Sequence, residues 1–255
     1  VFCYIEGIHE HNSVLCVGVG VGVDERQDNN IRAAMQDYLA EAYRIAYYQP
    51  DNPFISTSAL AEAKGVSAPA VTRMVQRLKE AGYLEHEPYR GISLTPKGER
   101  EALTNIRRHR LVEVFLVDVM KFGWHEVHDE ADALGEVVSD RIVERMDQMT
   151  KHPRRCPHGE PIPTADCKMP RVQDTPLNEV TVGVDWTISR VNTHDPDKLA
   201  YLGEMGLKPG TRFKLLTRAP FNGPLQLETN DTTLMIGHEL AGVLRVCAPE
   251  AFDLH

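Results

Sequence analysis

Val66-Ser67-Ala68-Pro69-Ala70-Val71-Thr72-Arg73-Met74-Val75-Gln76-Arg77-Leu78 and, beyond a break at Gly82, Tyr83-Leu84-Glu85-His86-Glu87-Pro88-Tyr89-Arg90-Gly91-Ile92-Ser93-Leu94 are the residues on which the fold turns. Ser67 stands where a helix cap is wanted and Pro69 falls in the first turn. Val71, Val75 and Leu78 then share one helical face, with Met74 at its edge. Tyr83 to His86 reads as a strand, Pro88 to Gly91 as a turn, and Ile92 to Leu94 as the returning strand. Towards the N-terminus, Ser58 to Lys64 reads as a short helix capped by Ser56 or Thr57 and ended by Gly65. Before it, Pro50-Asp51-Asn52-Pro53 breaks a helix that starts at Ile31. Ala34, Tyr38, Ala42 and Ile45 recur there at helical spacing, widened by Met35, Leu39 and Ala46. Towards the C-terminus, Thr95-Pro96-Lys97-Gly98 opens a long helix reaching about Met120.

Three helices, a β-hairpin and a further helix describe a winged helix-turn-helix. Its second short helix would lie in a major groove and meet base edges with its outward face: Ser67, Pro69, Ala70, Thr72, Arg73 and Gln76. Arg73 and Gln76 donate bidentately to guanine or adenine, and Ala70 and Thr72 touch thymine methyls. Arg77, Lys79, Tyr89 and Arg90 suit phosphates. The net charge of −9 argues against nucleic acid only until its distribution is read. Val71 to Arg110 carries nine Lys and Arg against five Asp and Glu, whereas Leu111 to Thr150 carries three against ten. A basic face next to an acidic region suits a phosphate partner and a cation, respectively.

The remaining chain divides by composition. Residues 1–28 differ from the rest, with a Val-Gly alternation over Val17 to Gly22 and a His9-x-His11 pair. Residues 29–100 form the winged unit, and 101–165 a helical unit with a fifth helix from about Asp129 to Met149. Pro153, Pro157, Pro161 and Pro163 force a loop around Cys156-Pro157-His158-Gly159. Residues 166–178 read as a linker. From 179 to 255 short β runs dominate (Val180–Val184, Thr187–Val191, Arg212–Leu216, Leu225–Glu228, Gly242–Val246), with a helix over Pro196–Met205. The fold class is therefore mainly α with a β-rich C-terminal module of small-barrel type. The five cysteines form no C-x-x-C pair and predict reduced thiols in a cytosolic protein. No apolar run reaches the length of a membrane span.

Two helices carry metal-ligating residue types. His109 and Glu113 stand at i, i+4; His128, Asp132 and Glu136 at i, i+4, i+8. Such spacing stacks side chains on one face, so paired helices can surround one ion with nitrogen and oxygen donors. With no cysteine in that set, the donors favour Mn²⁺ or Fe²⁺ over a thiolate-preferring ion. A metallohydrolase would use the same donors, but the sequence has no H-E-x-x-H, nucleophile elbow or phosphate loop. A winged-helix regulator with an organic effector is a further alternative.

The sequence resembles the diphtheria toxin repressor family, and within it the manganese transport regulators. The resemblance rests on Met35-x-Asp37-Tyr38-Leu39, Val66-Ser67-x-Pro69-x-Val71-Thr72, Tyr89-Arg90-Gly91 and Leu94-Thr95-x-Lys97-Gly98. It continues through Arg108-His109-Arg110-Leu111-x-Glu113, Val127-His128-Asp129-Glu130-Ala131, Ser139-Asp140 and Cys156-Pro157-His158-Gly159-x-Pro161-Ile162-Pro163. Leu202-x-x-x-Gly206-Leu207-x-Pro209-Gly210 is similar to the SH3-like module of longer members. The resemblance implies a non-enzymatic, metal-activated repressor of metal-uptake genes, acting as a homodimer on double-stranded operator DNA. It implies Mn²⁺ as cofactor, or Fe²⁺ in the alternative. It makes His109, Glu113 and His128 one set of ligands, and Asp37, Asp132 and Glu136 a second. That second set departs from the family, because Gly135 and Glu136 stand where the family has Glu-His, and Ala40 replaces an acidic residue. His194, Asp195 and Asp197 are candidates for ligands from the C-terminal module. Leu111, Val114, Phe115, Val117, Val137, Val138 and Ile142 are the expected dimer contacts.

Overall fold

The computed structural model describes residues 25–49, 52–230 and 232–252. The Val-Gly alternation, His9 and His11 lie outside them. Three units follow in chain order, each around its own apolar cluster.

The first holds α1 (Glu25–Tyr47), α2 (Thr57–Lys64), α3 (Ala68–Glu80) and the antiparallel hairpin β1 (Leu84–Glu87) and β2 (Gly91–Leu94). Local chemistry sets each boundary. The Ser56 hydroxyl accepts from Ala59 N at 3.0 Å, and Gly65 ends α2 in the left-handed region. Ser67 occupies the cap position of α3, yet its side chain makes no cap bond. Val71 and Leu78 are fully buried against Leu39, Ile55, Leu60 and Ile92, worth about 1.5–3 kcal/mol per side chain. Gly91 is required by packing: a Cβ there would lie 2.4 Å from the Ile55 carbonyl oxygen, where Ile55 and Ile92 form a bridge.

The second unit is α4 (Pro96–Asp118), α5 (Val127–Val137), α6 (Asp140–Met149) and the proline-rich loop after them. The helix expected over Asp129–Met149 is two helices. Val138 is extended and Ser139 sits at the cap of α6, so the chain re-aims between them. Gly135 and the β-branched pair Val137-Val138 weaken helix continuation at that point. Leu111 and Val114 are buried in the chain's own core, so they are intramolecular packing and not free dimer surface. Val137, at 78% exposure, and Ile142, at 48%, do face outward.

The third unit is a six-stranded antiparallel sheet in the order β3-β8-β4-β5-β6-β7: β3 (Thr175–Pro176), β4 (Asp185–Val191), β5 (Arg212–Arg218), β6 (Leu225–Glu228), β7 (Thr233–Ile236) and β8 (Leu244–Cys247). Helix α7 (Pro196–Glu204) covers the core, with short helices α8 (His238–Gly242) and α9 (Pro249–Phe252). Val180–Val184 forms no strand, and Gly242 closes α8 before the strand starts at Leu244. Thr233–Ile236 is an additional strand, and Thr175 within the presumed linker already pairs with Val246. These runs are short and lack clean alternation, so pairing partners decide them. Cys156, Cys167 and Cys247 are free thiols. No helix among the described residues is long and apolar enough to cross a membrane.

Candidate metal centre and nucleic-acid face

Helix α4 supplies His109 and Glu113 one turn apart, both buried. Thr95 starts that helix by accepting from Gly98 N at 3.1 Å, which fixes the phase of everything after it. His128 enters from the first turn of α5 and His158 from the proline-rich loop. His194 comes from the turn between β4 and α7. His109, His128 and His158 converge on one carboxylate: Glu113 Oε1 lies 3.1 Å from His109 Nε2, 3.4 Å from His128 Nδ1 and 3.3 Å from His158 Nδ1. His194 stacks on His128 with ring centroids 3.9 Å apart, and keeps part of its surface open to solvent. Asp132 Oδ1 lies 2.8 Å from His109 Nδ1. A cavity of about 330 Å³ opens over Glu113, His109, His158 and His194.

The electrostatics follow from burial of an acid among bases. Burial alone would raise the Glu113 carboxyl, but His109, His128 and His158 hold it well below its ordinary value. Burial would lower His109, and Glu113 with Asp132 reverses this, up to about 9. His158 is raised in the same way by Glu113. His194 goes the other way, down to about 3, through burial and then its neighbours His128 and Arg44. Without an ion, a proton shared among the histidines therefore balances Glu113. A divalent cation would take over that balancing charge and release the proton.

The donor set fits such a cation. His158 Nε2 lies 2.8 Å from the Trp124 carbonyl oxygen, which only accepts. Nε2 therefore carries a proton, and the neutral form would leave Nδ1 free toward Glu113 and the cavity, an orientation typical of ligating imidazoles. Ligand atoms of His109, Glu113 and His128 lie within 4.8 Å of one another, as do those of Glu113, Cys156 and His158. Cys156, outside the set expected from helical spacing, thus stands within reach of Glu113 and His158. Cys156 is brought in by the proline-rich loop, and burial followed by Glu113 pushes its thiol well up. Neither Cys156 nor His158 was legible by helical spacing; their signal was a Cys-x-His pair in a loop forced by prolines.

Asp37, Asp132 and Glu136 line an adjoining cavity of about 490 Å³ that also includes His109 and His128; there Lys64 Nζ holds Asp37 Oδ2 at 2.5 Å, and Glu136 is exposed. Asp195 is spent as the cap of α7, accepting from Asp197 N at 3.0 Å and Lys198 N at 3.1 Å, and Asp197 is exposed beside it.

On α3, Ser67, Pro69, Thr72, Arg73, Gln76 and Arg77 are exposed and Ala70 is half-buried. Gln76 donates to Glu80 at 2.7 Å, and Thr72 to the Ala68 carbonyl at 2.9 Å. At the hairpin tip Tyr89 is fully exposed with φ 66°, while Arg90 stacks over Phe54 at 3.9 Å and pairs with Glu87.

Comparison with known proteins follows these three units. Residues 31–92 match the iron-dependent repressor N-terminal DNA-binding domain, 95–164 the iron-dependent repressor metal-binding and dimerisation domain, and 175–247 the FeoA domain. The chain is similar to the iron-dependent repressor IdeR of Mycobacterium leprae, 28% identical over 199 residues that span 73% of this chain and 86% of that one. An HTH-type transcriptional regulator of Methanocaldococcus jannaschii is 34% identical over 113 residues, covering 44% of this chain and 89% of that one. Among solved structures, a manganese-dependent transcriptional repressor in complex with manganese is 34% identical with a TM-score of 0.74, covering 84% of this chain and 99% of that one. ScaR with bound Zn²⁺ is 31% identical with a TM-score of 0.70, covering 84% and 99%.

Proposed function

The chain belongs to the diphtheria toxin repressor family, and on that premise we propose that it is a homodimeric repressor whose hold on operator DNA requires a divalent cation, Mn²⁺ ahead of Fe²⁺. One observation carries the reading: a buried carboxylate, Glu113, is faced by histidines from three separate segments. His109, Glu113, His128 and His158 would hold the ion, with Cys156 and His194 at its edge. When bound, the ion supplies fixed positive charge in place of a titrating proton.

What the ion joins explains the activation. Glu113 and His109 ride on α4, which packs along α1 of the winged unit. His128 belongs to α5, and His158 and His194 to the loop and turn near the sheet module. Tying these together fixes α3 relative to the dimer axis. Two α3 helices then fit successive major grooves about 34–36 Å apart. The ion shifts the population toward the DNA-competent arrangement because only there do all donors meet it. Arg73 and Gln76 are the proposed base readers, and Arg77, Lys79 and Tyr89 the phosphate contacts. Val137 and Ile142, with Met149 at 49% exposure, are the proposed centre of the dimer contact.

Mn²⁺ over Zn²⁺ rests on the predominance of imidazole and carboxylate, with the buried thiol of Cys156 as the one soft donor. Titrating duplex binding in chelator, Mn²⁺, anaerobic Fe²⁺ and Zn²⁺ tests the reading. Tight binding with Mn²⁺ and little in chelator is the expected result. Equal binding in both would remove metal activation, and tighter response to Fe²⁺ at matched free-ion levels would transfer the role to iron.

A further inference from the structure

A second polar cluster, buried except at Tyr48, adjoins the candidate metal centre and uses the same loop. Glu160 follows His158 by two residues and lines the same cavity, on the side of Tyr48. Its carboxylate accepts from Arg110 at 3.1 Å, from Arg190 at 2.7 Å and from the Tyr48 hydroxyl at 3.0 Å. Arg190 also stacks on the Tyr48 ring at 4.5 Å, donates to its oxygen, and pairs with Asp174 at 2.7 Å. Asp174 in turn accepts from Arg245 at 2.8 Å. The side chains of Arg190 and Asp174 are only 4% and 2% exposed. Tyr48 directly follows α1 of the DNA-binding unit, Arg110 is on α4, and Arg190 and Arg245 are on β4 and β8. Glu160 is thus the point where all three units meet.

The loop carrying it has little freedom to move piecemeal. Cys156 N donates to the Glu160 carbonyl and Val191 N to the His158 carbonyl, each at 2.9 Å. A Cβ on Gly159 would lie 2.2 Å from the Ser189 carbonyl oxygen, so the loop is pressed flat on β4. Cys156, His158 and Glu160 all line that cavity, and Glu160 is bonded to the Tyr48 hydroxyl at its wall. A shift of His158 toward an ion must carry Glu160 with it, because the turn between them is closed by its own hydrogen bond. His194 and Arg190 repeat the arrangement just past and within β4.

We infer that Glu160, Arg190 and Tyr48 are positioning residues that transmit occupancy of the metal centre to the winged unit, through the rigid turn from Cys156 to Pro161. This rests on the metal-activated reading above. By linkage, whatever the ion does for DNA affinity, DNA does for ion affinity by the same factor. The transmission is therefore a ratio: the Mn²⁺ dissociation constant of the free chain over that of the DNA complex. Loss of a transmitting contact lowers the ratio, and removal of the Tyr48 hydroxyl alters no imidazole, carboxylate or thiol of the cavity, so it leaves the free-chain constant alone.

The test measures Mn²⁺ binding to the full chain, with and without a duplex selected from a random pool by the wild-type protein in Mn²⁺. Variants are Glu160→Gln, Tyr48→Phe and, as a control, Asp147→Asn. Asp147 is buried in a separate cluster with Arg107 and His152 and lies off this path. Tyr48→Phe keeps the ring and loses only the hydroxyl, so it carries the test if Glu160→Gln does not fold. We expect the ratio to fall at least fivefold in Glu160→Gln and Tyr48→Phe, with free-chain affinity within twofold in Tyr48→Phe and Asp147→Asn unchanged. A ratio unchanged in folded Tyr48→Phe, or lowered equally by Asp147→Asn, overturns the inference. A wild-type ratio of one, or failure to select any duplex, overturns metal activation itself.

Discussion

Two carboxylate clusters flank α4, and the chain treats them oppositely. Around Glu113 the acid is 2% exposed and its hydrogen-bond partners are histidine rings, bases that give up their proton to a metal. Around Asp37 the acid is 49% exposed and already paired with Lys64, a cation that the chain carries permanently. Asp132 belongs to the first cluster through His109, and Glu136 is exposed on the cavity that Asp37 and Asp132 also line. The difference teaches that donor types do not make a site. A buried carboxylate without a fixed cation keeps a place for a mobile one, whereas a built-in ammonium supplies that charge at no cost in assembly.

The comparison is broken or sharpened by a graded set of measurements. Glu113→Gln removes the charge on which the histidines converge. Residues that only support ligands cost about 10–100-fold in metal affinity, so this change should cost on the order of 100-fold or more in a Mn²⁺ titration. Retained affinity would move the site elsewhere.

Next in size is pH. Binding must displace the proton that Glu113 and Asp132 hold on His109, whose value is raised to about 9. Mn²⁺ affinity should therefore climb with pH, by up to about tenfold per unit for one proton displaced, and level off near 9. The metal-free chain should show the opposite trend in stability. A raised histidine contributes fully below its unfolded value of 6.5 and its contribution is lost as pH rises to about 9. Thermal unfolding with and without Mn²⁺ across that window should diverge steadily; parallel curves would mean that no proton is exchanged.

Asp195 lies next to His194 and separates structural from ligating acids. Asp195→Ala should remove a helix cap worth about 1 kcal/mol, lowering the melting temperature by a few degrees and leaving Mn²⁺ affinity in place. A drop in affinity matching that of Glu113→Gln would make it a ligand. The smallest expected effect is at Asp37. Asp37→Ala should change Mn²⁺ affinity by no more than about threefold, the scale of an exposed ion pair. A loss as large as that from Glu113 would make the second cluster a working site and end the contrast.

Much of this molecule was legible before any coordinates. The cap at Ser56, the αL turn at Gly65, Pro69 in the first turn of α3 and the Pro88–Gly91 wing each act within a few residues, so α2, α3 and the hairpin fall where they were expected. His109 with Glu113, and His128 with Asp132, were found for the same reason: a turn of helix is a local ruler. The errors share one cause. Val138 breaks α5 from α6, Thr175 joins a strand more than 70 residues away, and Leu111 turns inward, all through packing against distant partners.

Periodicity and punctuation thus determined the element order, the winged unit, the outward face of α3 and two of the ligand pairs, because those depend on neighbours within about one helical turn. Tertiary structure alone decided that Cys156 and His158 join Glu113, that Lys64 claims Asp37, and that Asp195 caps a helix. It also set Glu160 against the Tyr48 hydroxyl on the cavity that Glu113 and His158 line. Those outcomes depend on which side chains meet after the chain has crossed itself. Their energies come from burial and mutual charge, quantities that exist only once the three units are packed together.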